Sequence, residues 1–400
     1  MLSNPYFKKL KPSYLFKEIS EKLCMFKNNN PARTVVDLSL GNTTYPIEKE
    51  LSEHLASVAY KQSSKNGYLG YGPENGSATL RSKVAKTFYR STISPDDIFI
   101  SDGIKCDLGR LQSLLGPGRI VALQDPVYPA YRDVSIIGGA AEVISVPCRE
   151  ENDFFPDIRS LSRIPDVLFL CSPNNPTGTV LNRKQLTSIV NYALENEVLI
   201  VFDTAYSLFI ADESLPKSIF EIPGAEKCAI EFGSFSKTFG FTGLRLGWSV
   251  VPSQLQYSDG AFVQHHWRRV VSTLFNGASS VIQEAGIKAL EAYSPQNNAA
   301  LQYYKTNANL LKDALLSVGF SVFGGDHSPY LWVKLPKELA SVDPFDFFLE
   351  EYGVAVTPGV GFGSEGEGFV RFSSFGDRSE VELACQRFAS REIFVPSGAL

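Results

Sequence analysis

The stretch Gly233-Ser234-Phe235-Ser236-Lys237-Thr238-Phe239-Gly240-Phe241-Thr242-Gly243-Leu244-Arg245-Leu246-Gly247-Trp248 decides how the rest of the chain is read. A lysine stands between hydroxyl residues, glycines flank it, and an arginine follows. Ser234 and Ser236 can donate to a phosphate, and Arg245 can add a two-bond, charge-assisted contact. Glycines let the backbone approach an anion closely. Lys237 then sits just past the phosphate, where its amine can form an imine with an aldehyde. Burial and nearby cations lower an amine's pKa, as a Schiff-base nucleophile requires. The competing reading is a glycine-rich surface loop with a solvated lysine.

Two upstream segments weigh against that loop. Val201-Phe202-Asp203-Thr204-Ala205-Tyr206 sets an acid at the end of an apolar run, where a carboxylate is costly unless it meets a cation. A pyridinium N–H is a suitable partner, because it keeps the ring protonated and electron-withdrawing. Tyr206 is then placed to reach the ring hydroxyl. The ordinary use of an Asp there is a helix N-cap. Ser172-Pro173-Asn174-Asn175-Pro176-Thr177-Gly178 also follows a strand-like run. Its prolines and glycine fix a loop from which Asn175 can donate to a phenolic oxygen, although the same composition makes a good turn.

Asn-Pro-Thr-Gly, Asp-x-x-Tyr and Ser-Phe-Ser-Lys, in this order, resemble the signature of fold-type I pyridoxal 5'-phosphate (PLP) aminotransferases. The resemblance implies PLP as cofactor, carried on Lys237, with Lys237, Asp203 and Tyr206 as the catalytic set. Ser101-Asp102-Gly103-Ile104-Lys105-Cys106-Asp107 follows a strand and opens a helix, where free N–H groups suit a phosphate; the matching family site uses the amides of Ile104 and Lys105. Tyr128 falls where the family lays an aromatic ring against the pyridine face, with core packing as the alternative. Tyr71 matches a tyrosine that reaches the phosphate of the neighbouring subunit, which implies a homodimer with composite sites. Arg371, in Phe369-Val370-Arg371-Phe372-Ser373, matches the arginine that clamps the substrate α-carboxylate through a planar contact. A surface arginine on a strand edge is the ordinary alternative, and Arg378 is the nearest competitor.

Finer features narrow the resemblance. Ser101–Asp107, Leu40-Gly41-Asn42-Thr43-Thr44 and Tyr71-Gly72-Pro73-Glu74 are similar to the LL-diaminopimelate aminotransferases. That family moves an amino group from LL-diaminopimelate to 2-oxoglutarate, a step in lysine and peptidoglycan-precursor synthesis. The match implies Tyr14, Gly41, Lys105, Tyr128, Asn175, Asn276 and Arg371 as substrate contacts, with Asn276 also on the cofactor side. Glu74, from the other subunit, would accept the distal ammonium; a surface salt bridge is its alternative. Ile104 stands where the family usually has alanine, and Asn42 where aspartate is common.

Around these motifs the middle of the chain alternates apolar runs with helical spacing. Strands are expected at 97–101, 120–123, 143–146, 167–171, 198–203, 228–232 and 247–251, and helices at 107–115 and 183–195. Buried runs separated by helices favour an α/β fold with a mainly parallel sheet covered on both faces. Ligands in such sheets bind beyond the carboxyl ends of the strands. The C-terminal part reads as a helix over 298–318, a strand at 330–335, a helix at 344–352, a strand at 368–373 and a helix over 377–390. The expected division is a large PLP-binding domain, 46–285, and a small α+β domain from both termini, 1–45 and 286–400.

Composition adds exclusions. A net charge of −5 with no basic block argues against nucleic acid. No apolar run reaches membrane-spanning length, the first residues do not read as a secretory signal, and six scattered cysteines without a Cys-x-x-Cys pair read mostly as core residues in a reducing cytoplasm. Gly361-Phe362-Gly363-Ser364-Glu365-Gly366 matches the dinucleotide fingerprint, but its acids and the strand after it oppose a phosphate site. His265-His266 lacks companion metal ligands, so no metal is expected. The rival readings are an aminotransferase of other amino acids, a β-lyase on the same fold, and a non-catalytic PLP-binding regulator.

Overall fold

The computed structural model describes residues 3–90, 92–294, 298–339 and 342–390. Its strands are β1 (Val36–Asp37), β2 (Ile98–Ser101), β3 (Ile120–Asp125), β4 (Glu142–Pro147), β5 (Val167–Cys171), β6 (Leu199–Asp203), β7 (Ala229–Ser234), β8 (Gly247–Val250), β9 (Ser321–Gly324), β10 (Tyr330–Lys334), β11 (Val354–Ala355), β12 (Thr357–Pro358) and β13 (Phe369–Ser373). Seven of them form one sheet in the order β2-β8-β7-β6-β5-β3-β4. It is parallel throughout except for β8, which runs against both β2 and β7. This mainly parallel sheet is the expected α/β architecture.

Every residue of β5 is buried, so both faces need cover. Successive side chains point to opposite faces. Val167, Phe169 and Cys171 enter one core with Leu108 and Leu111 of the helix Ile104–Leu115. Leu168 and Leu170 enter a second core with Leu186, Ile189 and Val190 of the helix Arg183–Asn196. Continuous apolar runs thus become central strands because helices bury them on both sides.

A smaller antiparallel sheet has the order β12-β13-β10-β9, and β1 pairs in parallel with β11. Val36 and Leu38 share a core there with Val354, Val370 and Phe388, which brings early and late segments of the chain together.

Most strand limits match the sequence-based ones to within two residues, and the short β1, β9, β11 and β12 were not anticipated. The expected helix at 344–352 is a short α-helix, Pro344–Phe347, followed by a π-helical turn, Phe348–Tyr352. The cysteine expectation needs correction: Cys148, Cys171 and Cys228 are buried, but Cys24 and Cys106 are exposed and Cys385 is intermediate. The last residues assigned to the small domain, 391–400, lie outside the described residues. Among the described residues no helix is long and apolar enough to cross a membrane.

The glycine-rich 361–366 segment meets a carboxylate. A Cβ at Gly363 would lie 1.9 Å from Asp125 Oδ1, and Asp125 accepts from the Glu365 amide (3.1 Å) and the Ser364 hydroxyl (2.9 Å). An acid fills the place a phosphate would need, and the loop leads into β13. His265 and His266 lie exposed on the helix Val263–Leu274, beside buried Trp267.

Candidate active site

The parallel register sets Cys171 beside Asp203, and Asp203 beside Phe232. The ends of β5, β6 and β7 therefore open onto one cleft of about 640 Å³. Gly41, Ile104, Lys105, Tyr128, Asn175, Asp203, Tyr206, Ser234, Ser236, Lys237, Arg245 and Arg371 all line it. A cavity of about 880 Å³ at the opposite strand ends, beside Val167 and Leu199, holds none of the predicted residues.

Lys237 lies past the end of β7, and its Nζ donates to the Gly41 carbonyl at 2.5 Å. Burial lowers its pKa to about 8, helped by the charges of Arg371 and Arg245 and opposed by Asp203. A lysine so depressed has free amine at neutral to mildly basic pH, the form that attacks a carbonyl.

Asp203 ends β6, and burial raises its pKa. Its Oδ2 accepts from the Tyr131 hydroxyl at 2.7 Å and its Oδ1 from the Ala205 amide at 2.9 Å. The cap-like bond to Ala205 and the cleft-lining position are thus both present. Tyr131 was missed in the sequence, although Asp125-Pro-Val-Tyr-Pro-Ala-Tyr131 contains it.

The helix Ile104–Leu115 opens at Gly103, which offers no side-chain cap. Its first amides are orphans by construction, and they lie beside Ser236 and Arg245. A Cβ at Gly103 would lie 2.3 Å from Arg245 Nη2, and Gly103 has φ +117°. Only glycine lets the guanidinium come this near the helix start. Arg245 itself has φ +64°; its Nη1 donates to the Thr242 carbonyl (3.0 Å) and lies 3.5 Å from the Ser236 hydroxyl. Ser234 Oγ accepts from the Ser236 amide at 3.0 Å.

Arg371, on β13, is 1% exposed, which excludes the surface reading. Its Nη1 donates to Asn175 Oδ1 at 2.7 Å and its Nη2 to the Ser39 carbonyl at 2.5 Å. The guanidinium carbon lies 4.4 Å from the centre of the Tyr330 ring and 4.9 Å from that of Phe362. Among the described residues no carboxylate pairs with it, and its buried Nε has no partner. Arg378, the competitor, is taken up by Tyr303 and Asn307.

Tyr14 does not line the cleft itself; its ring lies 4.6 Å from Lys105 Nζ, which does, and its buried hydroxyl has no hydrogen-bond partner among the described residues. Phe16 packs near Tyr128 and Arg371. Tyr71, Glu74 and Asn276 are exposed and do not line the cleft of this chain. Glu74 accepts from Ser272 and pairs with no lysine among the described residues.

The cleft therefore combines four cations and a helix start with a single lining carboxylate. It suits a ligand with a phosphate, a ring that seeks an acid, and a carboxylate.

A family model described as Aminotransferase class I and II matches residues 33–388. The LL-diaminopimelate aminotransferase of Chlamydia pneumoniae is 49% identical over 393 residues, covering 98% of each chain. The chloroplastic LL-diaminopimelate aminotransferase of Arabidopsis thaliana is 44% identical, over 96% of this chain and 86% of that one. Among solved structures, the L,L-diaminopimelate aminotransferase from Chlamydomonas reinhardtii superposes with a TM-score of 0.92 at 43% identity, covering 98% and 99% of the two chains.

Proposed function

Because the chain belongs to the class I and II aminotransferase family, we propose that it transfers an amino group from LL-diaminopimelate to 2-oxoglutarate, giving tetrahydrodipicolinate and glutamate. The observation that carries the reading is the meeting in one cleft of Lys237, Asp203 and an Arg371 that, among the described residues, has no carboxylate partner. Relatives of this length and identity act, by their names, on diaminopimelate.

The donor set fits PLP: uncapped amides at Ile104 and Lys105, Ser234, Ser236 and Arg245 for a phosphate, and buried Asp203 for a ring nitrogen. When bound, PLP supplies an electron-withdrawing ring that weakens the substrate Cα–H bond. Asp203 would hold the proton on the ring nitrogen. Lys237 Nζ would serve as the general base, and then the acid, for the substrate Cα proton. Asn175 spends its Oδ1 on Arg371, which leaves its amide N–H₂ for the ring oxygen beside Tyr206. Tyr128 would cover the ring face, and Arg371 would bind the substrate α-carboxylate through its planar fork. Gly41 and Lys105 complete the substrate wall, with Tyr14 packed against Lys105 behind it.

We read residues 46–285 as the large domain and 1–45 with 286–400 as the small one, supported by the shared core of early and late segments. The active form is a homodimer, supported by exposed Tyr71, Glu74 and Asn276, which belong to the partner's site in this reading. A reducing cytoplasmic setting is supported by six free thiols.

Mixing the PLP-loaded protein with single amino acids while following its visible absorbance tests the substrate. Diaminopimelate and glutamate should bleach the band, and 2-oxoglutarate should restore it after diaminopimelate. Bleaching by aspartate or aromatic amino acids alone would refute the substrate. Release of pyruvate and ammonia without an oxo acid would instead mark a β-lyase.

A further inference from the structure

Tyr330, at the start of β10, touches two parts of the site at once. It is 1% exposed. Its hydroxyl lies 2.9 Å from the Tyr206 hydroxyl, while Arg371 stacks on its ring at 4.4 Å. The two tyrosine rings meet edge to face with centroids 5.2 Å apart. The fit is close enough to dictate a neighbour: a Cβ at Gly41 would lie 2.4 Å from Tyr330 Oη. Gly41 in turn accepts from Lys237.

We propose that Tyr330 is a positioning residue whose hydroxyl sets the donor strength of Tyr206 and whose ring holds the Arg371 guanidinium for the substrate carboxylate. The inference rests on the PLP reading of the cleft. Tyr206 has one hydroxyl proton. If it is given to the cofactor's ring oxygen, the bond between the two tyrosines must run from Tyr330 to Tyr206. A hydroxyl that accepts one hydrogen bond donates a stronger one, so Tyr330 adds to the stabilisation of charge on that ring oxygen. The other charged or titratable groups facing the pair are Arg371, Asp203, Cys171 and Tyr128, with Lys237 behind Gly41. The ring performs a separate task. Arg371 has no carboxylate partner among the described residues, and an aromatic face attracts a cation without competing for its N–H groups.

Two variants separate the tasks. Tyr330→Phe keeps the ring and loses the hydroxyl. The ring oxygen then becomes more basic, and the pH midpoint of the visible band of the lysine-bound cofactor should rise by about half a unit, with KM for both substrates close to wild type. Tyr330→Leu also loses the aromatic face, and KM for both the amino acid and the oxo acid should rise about fivefold or more. Wild-type protein without a PLP band that titrates would refute the cofactor reading itself. A normal wild-type band with an unmoved midpoint in Tyr330→Phe would overturn the hydroxyl's role. Unchanged KM values in Tyr330→Leu would overturn the ring's role.

Discussion

At the scale of single residues, the chemistry rests on how far burial shifts one amine. Lys237 is brought to about 8 by desolvation first and by Arg371 and Arg245 second. Burial and nearby positive charge both disfavour the ammonium, so the protonated form gives way at lower pH than in a free lysine. The rate at which PLP-free protein captures the aldehyde should therefore climb through a midpoint near 8. Rapid-mixing absorbance across a pH series measures it, and a midpoint near the ordinary lysine value of about 10.4 would contradict the assignment. Much of this site was legible in the sequence because Lys237, Asp203 and Asn175 each follow an apolar strand closely. Their aromatic partners were not. Tyr131 meets Asp203 from 72 residues away, and Tyr330 meets Tyr206 from 124 away. In isolation such residues read as core, because local pattern carries no information about which distant hydroxyl they will face.

At the scale of elements, the helix Ile104–Leu115 and the loop after β7 meet at Gly103, where we propose that they form one anion cradle. A methyl group there would collide with Arg245 and would also strain a backbone at φ +117°. Gly103→Ala should weaken PLP binding by about tenfold or more, since such strain costs roughly 1–3 kcal/mol. Fluorescence titration of the PLP-free variant measures the loss, and wild-type affinity would show that the cradle tolerates a wider gap. Element type was predictable for long segments and failed for short ones. β5 and β6 are apolar runs between helical patterns, a strong signal. β1, β11 and β12 have two residues each, too few for any period to show. The 361–366 glycines copy a phosphate loop in spelling alone. Their spacing serves the approach of backbone to Asp125 and of Gly361 to Leu15.

At the scale of the whole molecule, the unanswered residues of one chain point outward. Tyr71 is 89% exposed, and Glu74 and Asn276 lie on the surface with it. In the homodimer we propose, a site draws Lys237 from one subunit and Glu74 from the other. Lys237→Ala and Glu74→Ala homodimers should each be inactive or nearly so on diaminopimelate. Unfolded and refolded together, the two chains form mixed dimers in which one of the two sites is intact. Activity should return to about a quarter of wild type, since random pairing makes about half the dimers mixed. No recovery from a mixture shown to exchange subunits would mean that each chain supplies its own complete site. The sequence alone brought Tyr71 and Glu74 forward only through resemblance, because a residue that serves another copy leaves no local periodic trace.

Arg371 has a consequence for how the molecule responds to heat. A guanidinium held away from water, with no acid beside it among the described residues, subtracts from the stability of the empty protein. Any ligand that brings a carboxylate to it binds the folded state alone and raises the melting temperature by mass action. The protein's resistance to unfolding is then tied to its supply of substrate, and it should be most robust when it is working.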